Sequence, residues 1–147
     1  MFMIIFLLSM SVYAQKSESL WTKVSSEKAK NNKQVFRKTQ PNKANFYQLS
    51  LNGLKQIIQH APKRAEITGK SNTIVSFPNS NGVFGDFRIM EASVMHPELE
   101  AKFPNIHSYV GQGIDNPAEI IRFSITPQGL HTMTLSTKQG TEYIDPY

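Results

Sequence analysis

The chain has 147 residues, with 16 Lys and Arg, 11 Asp and Glu, and no cysteine. That length suits one ordinary domain and excludes two full-sized ones. The missing thiol excludes a disulfide scaffold, a thiolate zinc site, an iron–sulfur cluster, a cysteine nucleophile and a lipoprotein anchor. At 39% apolar and 18% charged, the composition is that of a globular protein. The net charge of +5 is unevenly spread: Gln15 to Asn72 holds 12 basic and 3 acidic residues, Thr73 to Tyr147 4 basic and 8 acidic. The basic half is diluted with Asn, Gln and Ser up to Phe46, as in a loosely held arm. It shows no nucleic-acid motif and no interleaving of aromatic and basic residues, so no nucleic-acid partner is expected.

Phe2 to Met10 is an apolar run, shorter than the roughly 20 residues of a membrane-spanning helix. Ser11-Val12-Tyr13-Ala14-Gln15 follows, with Val12 and Ala14 at the positions where signal peptidase accepts small side chains. Residues 1–14 are therefore expected to be a signal peptide cut between Ala14 and Gln15. The product would be secreted, periplasmic or at the cell surface, without a stable membrane span.

Residues 15–45 form a polar, basic lead-in in which Leu20, Trp21 and Val24 can make one amphipathic turn, Trp21 anchoring it. Phe46 to Leu49 reads as extended. Leu51, Leu54, Ile57 and Ile58 recur at helical spacing and predict a helix over about 51–61, capped by Ser50 or Asn52 and stopped by Pro62. Gly53 inside it costs about 1 kcal/mol relative to Ala, so packing must hold this helix.

After Lys70 the pattern turns to strands. Thr73 to Phe77 is followed by a turn cluster with Asn81-Gly82, whose positive φ angles suit a tight hairpin, and by a partner strand over Val83 to Ala92. In that strand Phe87 and Ile89 share one face, Arg88 and Met90 the other. A short helix is predicted at about 97–103, with Pro97 at its first position and acids in its first turn. A strand over Ile106 to Val110, a loop over Gly111 to Pro117, a hairpin of Ile120 to Thr126 with Leu130 to Ser136, and a strand over Thr141 to Ile144 complete the series. The fold class expected is α+β: a strand-rich antiparallel sheet with its helices on one face or at an end, over residues 46–147.

Catalytic chemistry is hard to find. His60, His96, His107 and His131 are scattered, without H-E-x-x-H or an i, i+4 pair, and so give no metal site. Gly111-Gln112-Gly113 lacks the third glycine of a dinucleotide fingerprint, and no G-x-S-x-G elbow is present. Glu98 and Glu100 are two apart on a short helix and point apart. No catalytic residue and no cofactor is assigned to this chain.

From Tyr109 onward the sequence runs Tyr109-x-Gly111, Ile121, Phe123, Ser124, Gly129-Leu130, Leu135-Ser136 and Tyr143-x-Asp145-Pro146. This order resembles the end of the prodomains of reprolysin and ADAM metallopeptidases. The stretches Leu49 to Lys55, Ala61 to Arg64, Val75 to Asn79, Met90 to Leu99 and Ala101 to Pro104 extend the likeness to propeptides of secreted, flavobacterial reprolysin-like enzymes. The resemblance implies a propeptide that helps its own metallopeptidase domain fold, in cis, and keeps it latent. Zinc and H-E-x-x-H would belong to a catalytic domain beyond Tyr147, and the abrupt stop after a strand is what a fragment or an excision point would give. Many animal prodomains block the zinc with a cysteine thiolate; here latency would be steric or carboxylate-mediated, or the ligand would lie further on. Asp145 is the acid that directly follows the exit strand, where it also suits a turn before Pro146. The alternative is a stand-alone secreted β-rich module that binds carbohydrate or a surface partner through Trp21, Tyr47 or Tyr109.

Overall fold

In a computed structural model the protein is described over residues 20–31 and 43–147. The proposed signal peptide, with Ala14 and Gln15, lies outside the described residues. The elements in chain order are β1 (Trp21–Val24), α1 (Ser26–Asn31), β2 (Phe46–Leu49), α2 (Leu51–Ile58), β3 (Ile74–Pro78), β4 (Phe84–Glu91), α3 (Pro97–Lys102), β5 (His107–Gly113), β6 (Ile120–Thr126), β7 (Gly129–Ser136) and β8 (Gly140–Ile144). The fold is α+β. Strands β3 to β8 form one antiparallel meander in sequence order, and β1 pairs with β2 in a separate ribbon.

Alternation along the strands decides which face is buried. Val75 and Phe77, Phe87 and Ile89, Tyr109 and Gly111, and Ile121, Phe123 and Ile125 all fall on the inner face by register. The outer face carries cross-strand neighbours such as Met90, Val110, Arg122, Met133 and Tyr143. The sheet is strongly curled. Phe77 on β3 and Phe123 on β6 have ring centroids 5.3 Å apart, although strands three places apart in a flat sheet would be about 14 Å apart. The β3–β4 turn also reaches β8, where the Ser80 amide donates to Glu142 Oε1 at 3.0 Å.

Curling requires a cover for the concave face, and the ribbon and α2 provide it. Leu54 and Ile58, the two buried residues of α2, join Leu20 and Trp21 against the inner face. Trp21 is 8% exposed. Its indole Nε1 donates to the Ser76 carbonyl on β3 at 2.9 Å. Its ring meets Tyr47 edge-on and Phe77 at a tilt, with centroids 6.1 and 6.0 Å away. Gly53 is explained here: a Cβ at that position would lie 2.9 Å from Leu20 Cδ2, so the glycine lets Leu20 close on α2.

Several boundaries differ from the sequence reading. The predicted turn around Trp21 is strand β1, because β2 supplies a ladder that the local sequence does not reveal. The core thus recruits residues ahead of Phe46. Helix α2 ends at Ile58, where the Ala61 amide turns back to the Ile58 carbonyl at 2.9 Å, so it stops short of Ala61. Ser50 occupies the N-cap position but makes no side-chain cap bond. The β3–β4 connection is a five-residue loop, Asn79 to Val83, in which Asn79 Oδ1 accepts from the Asn81 and Val83 amides and only Gly82 has positive φ. Strand β5 runs through the predicted loop as far as Gly113. There a Cβ on Gly111 would sit 2.6 Å from Ile89 Cδ1 and 2.8 Å from Ile121 Cγ2. Gly111 is therefore a strand residue whose missing side chain lets two isoleucines meet.

Replacing Gly111 with Ala is expected to destabilise the protein by about 1–3 kcal/mol through overpacking. Urea unfolding would show this as a lower midpoint with an unchanged slope.

Candidate binding cleft

The inner face is not covered to its end. Where α2 passes over β4, β5 and β6, a half-open cleft of about 610 Å³ remains, lined by Lys55, Ile58, Gln59, Glu91, Asn105, His107, Tyr109, Ile125, Thr126 and Pro127. Two rows of the sheet form its floor. Glu91 and Tyr109 are direct cross-strand partners, and His107 faces Ile125 in the next row. Glu91 has the parity of Phe87 and Ile89, so β4 ends with a carboxylate in an inward-facing apolar series. The backbone holds it firmly: the Glu91 amide donates to the Pro62 carbonyl at 2.9 Å and its carbonyl accepts from the Arg64 amide at 2.8 Å.

His107 Nδ1 lies 3.5 Å from Glu91 Oε1, with both side chains partly solvated. Tyr109 stacks on Phe123 with ring centroids 4.9 Å apart and planes inclined by 17°. Burial, and secondarily the Glu91 carboxylate, push the Tyr109 phenol up to about 12. It therefore stays a hydrogen-bond donor over the whole physiological range. The arrangement lacks a nucleophile paired with an oriented base; it offers a carboxylate, an imidazole, a phenol and an ammonium above an apolar floor, which suits binding.

The positions singled out by sequence are spread over the sheet. Tyr109 forms part of the cleft and Gly111 the packing beneath it. Gly129 opens β7 and abuts Pro146, whose Cγ would be 3.1 Å from an added Cβ; Leu130 is a core residue. Ser136 donates to Glu119 Oε1 at 2.8 Å. Tyr143 stands on the outer face, 65% exposed. Asp145 Oδ1 is 3.2 Å from His131 Nδ1. Glu91, Lys55 and His107 form no group along the sequence, because only the β4–β5 register brings Glu91 beside Tyr109. Parity along β4 is the one signal that points to Glu91.

Of the other histidines, His60 follows α2 with Nε2 3.0 Å from Gln59 Nε2, and His96 precedes α3 without capping it. Among the described residues no three His, Asp or Glu side chains are placed to hold a metal ion, and no helix is long and apolar enough to cross a membrane. Compared with known proteins, the chain matches no family model, no curated protein and no solved structure.

The Tyr109 phenol gives a pH signature. Between about pH 10, where an unfolded tyrosine ionises, and about 12, where the folded group does, the unfolded chain has lost the proton that the native state still holds. The stability due to Tyr109 is therefore complete below pH 10 and falls away as the pH rises towards 12. Urea midpoints measured from pH 9 to 12 should decline less steeply in Tyr109→Phe than in the parent.

Proposed function

We propose that the chain is the non-catalytic propeptide of an exported zinc metallopeptidase, acting in cis on its own catalytic domain as folding aid and inhibitor. The observation that carries this reading is how the family-like positions fall along one meander. Tyr109 and Gly111 lie on β5, Gly129 and Leu130 open β7, Ser136 closes it, and Tyr143 lies on β8. Asp145 and Pro146 then fold back onto β7 at His131 and Gly129. This is the strand, hairpin and exit-strand succession that the resemblance implies. The zinc would be held in the catalytic domain, outside this chain.

A domain that binds the folded peptidase and not its unfolded chain stabilises it by linkage. Covalent attachment puts the two at effective concentrations of about millimolar, so modest affinity is enough before cleavage. Asp145 is engaged by His131, which favours steric latency over a carboxylate on the metal. The carbohydrate-binding reading has less support: Trp21 and Tyr109 are buried, and Tyr47 is packed edge-on between Trp21 and Phe84. None of the three rings is laid open as a stacking platform.

The test begins with the reading frame beyond Tyr147, where an H-E-x-x-H motif is expected. A precursor lacking residues 15–147 should yield at least tenfold less active peptidase than the intact precursor. Adding the chain in trans at micromolar concentration should inhibit the mature enzyme. Absence of the motif, or equal yield with and without the segment, contradicts the proposal. N-terminal sequencing of exported material should start at Gln15, confirming the cut after Ala14.

A further inference from the structure

The cleft holds polar groups that the fold engages only in part. The Tyr109 hydroxyl has no hydrogen-bond partner among the described residues, although Tyr109 is only 8% exposed and lines the cavity. The Glu91 carboxylate is 3.5 Å from the His107 imidazole, longer than a good hydrogen bond. Lys55 forms no ion pair among the described residues and is exposed on the α2 side.

The sign of the fixed charge decides what can enter. Glu91 is held on both its backbone groups and by the β4–β5 ladder. Lys55 rides on a long side chain whose ammonium can swing into water. A carboxylate or phosphate seated here would lie against Glu91, with like-charge repulsion and incomplete solvation. A cation finds that carboxylate and a phenol oxygen that can accept. A planar guanidinium matches a carboxylate with two parallel hydrogen bonds, which an ammonium cannot do. Ile58 and Ile125 supply apolar walls of the kind that a three-methylene stem covers. Asn105 on the rim offers an amide to a peptide backbone.

We propose that this cleft is a recognition site for an arginine side chain presented by an extended peptide, with Glu91 and Tyr109 as its polar contacts and Ile58 and Ile125 as its walls. The site does not depend on the propeptide reading: the fold alone supplies it, and either idea can fail without the other.

The full chain, labelled with nitrogen-15, is titrated with N-acetyl-arginine-N′-methylamide, the matching lysine and glutamate compounds, and free L-arginine. The capped arginine should give saturable shifts confined to residues 55–59, 91, 105–109 and 125–127. Glu91→Gln should weaken binding at least tenfold. Lys55→Gln, at an exposed position that leaves folding intact, should tighten it about twofold by removing a competing cation. The glutamate compound should give no shifts there, and the lysine compound should bind several-fold more weakly. Weaker binding in Lys55→Gln, a stronger response to the glutamate compound, or shifts scattered over the surface overturn the proposal. Free L-arginine binding more tightly than the capped form would overturn the peptide assignment.

Discussion

The protein depends on covering the concave face of a curled sheet. Phe77, Phe87, Tyr109 and Phe123 bring a row of rings to that face, and six strands alone leave them facing water. The cover comes from the N-terminal side of the chain, and Trp21 fastens it. Its ring extends the aromatic row from Phe77 towards Tyr47, while its indole N–H satisfies the Ser76 carbonyl on β3. A buried tryptophan contributes about 3–5 kcal/mol by truncation, a large share of the roughly 5–15 kcal/mol that holds an ordinary domain together. Leu20, Leu54 and Ile58 then close the space that the ribbon leaves.

Much of the sheet was legible in the sequence because half-buried strands write their pattern locally. Phe87 and Ile89 alternate with Arg88 and Met90, and the buried pair is the one that the alternation predicts. The hairpin of Ile120 to Thr126 with Leu130 to Ser136 and the short helix at Pro97 were equally readable from turn residues and the proline position, the return strand starting one residue earlier, at Gly129. Trp21 was readable as an anchor but not as a strand, since its ladder partner Leu49 is 28 positions away. Gly111 misled for a physical reason. Glycine in isolation signals a turn, and only the approach of Ile89 and Ile121 shows why one sits inside a strand.

The cleft was less legible still. Its carboxylate and phenol come from different strands, joined by the Glu91–Tyr109 register, and its ammonium comes from a helix laid across them. A cover that ends before the sheet does leaves this mixed polar and apolar hollow as a consequence of the fold. The same architecture separates a closed core under the ribbon from an open, mixed polar and apolar end.

Trp21 is the one tryptophan in the sequence, so its indole N–H gives a single, unambiguous resonance. Native-state hydrogen exchange of that proton tests the cover directly. If the ribbon is an integral part of the core, the indole N–H exchanges only on global unfolding, with the same free energy as the Phe123 amide on the interior strand β6. Rapid exchange at Trp21 while Phe123 stays protected would mean that the ribbon opens independently, and would contradict the account.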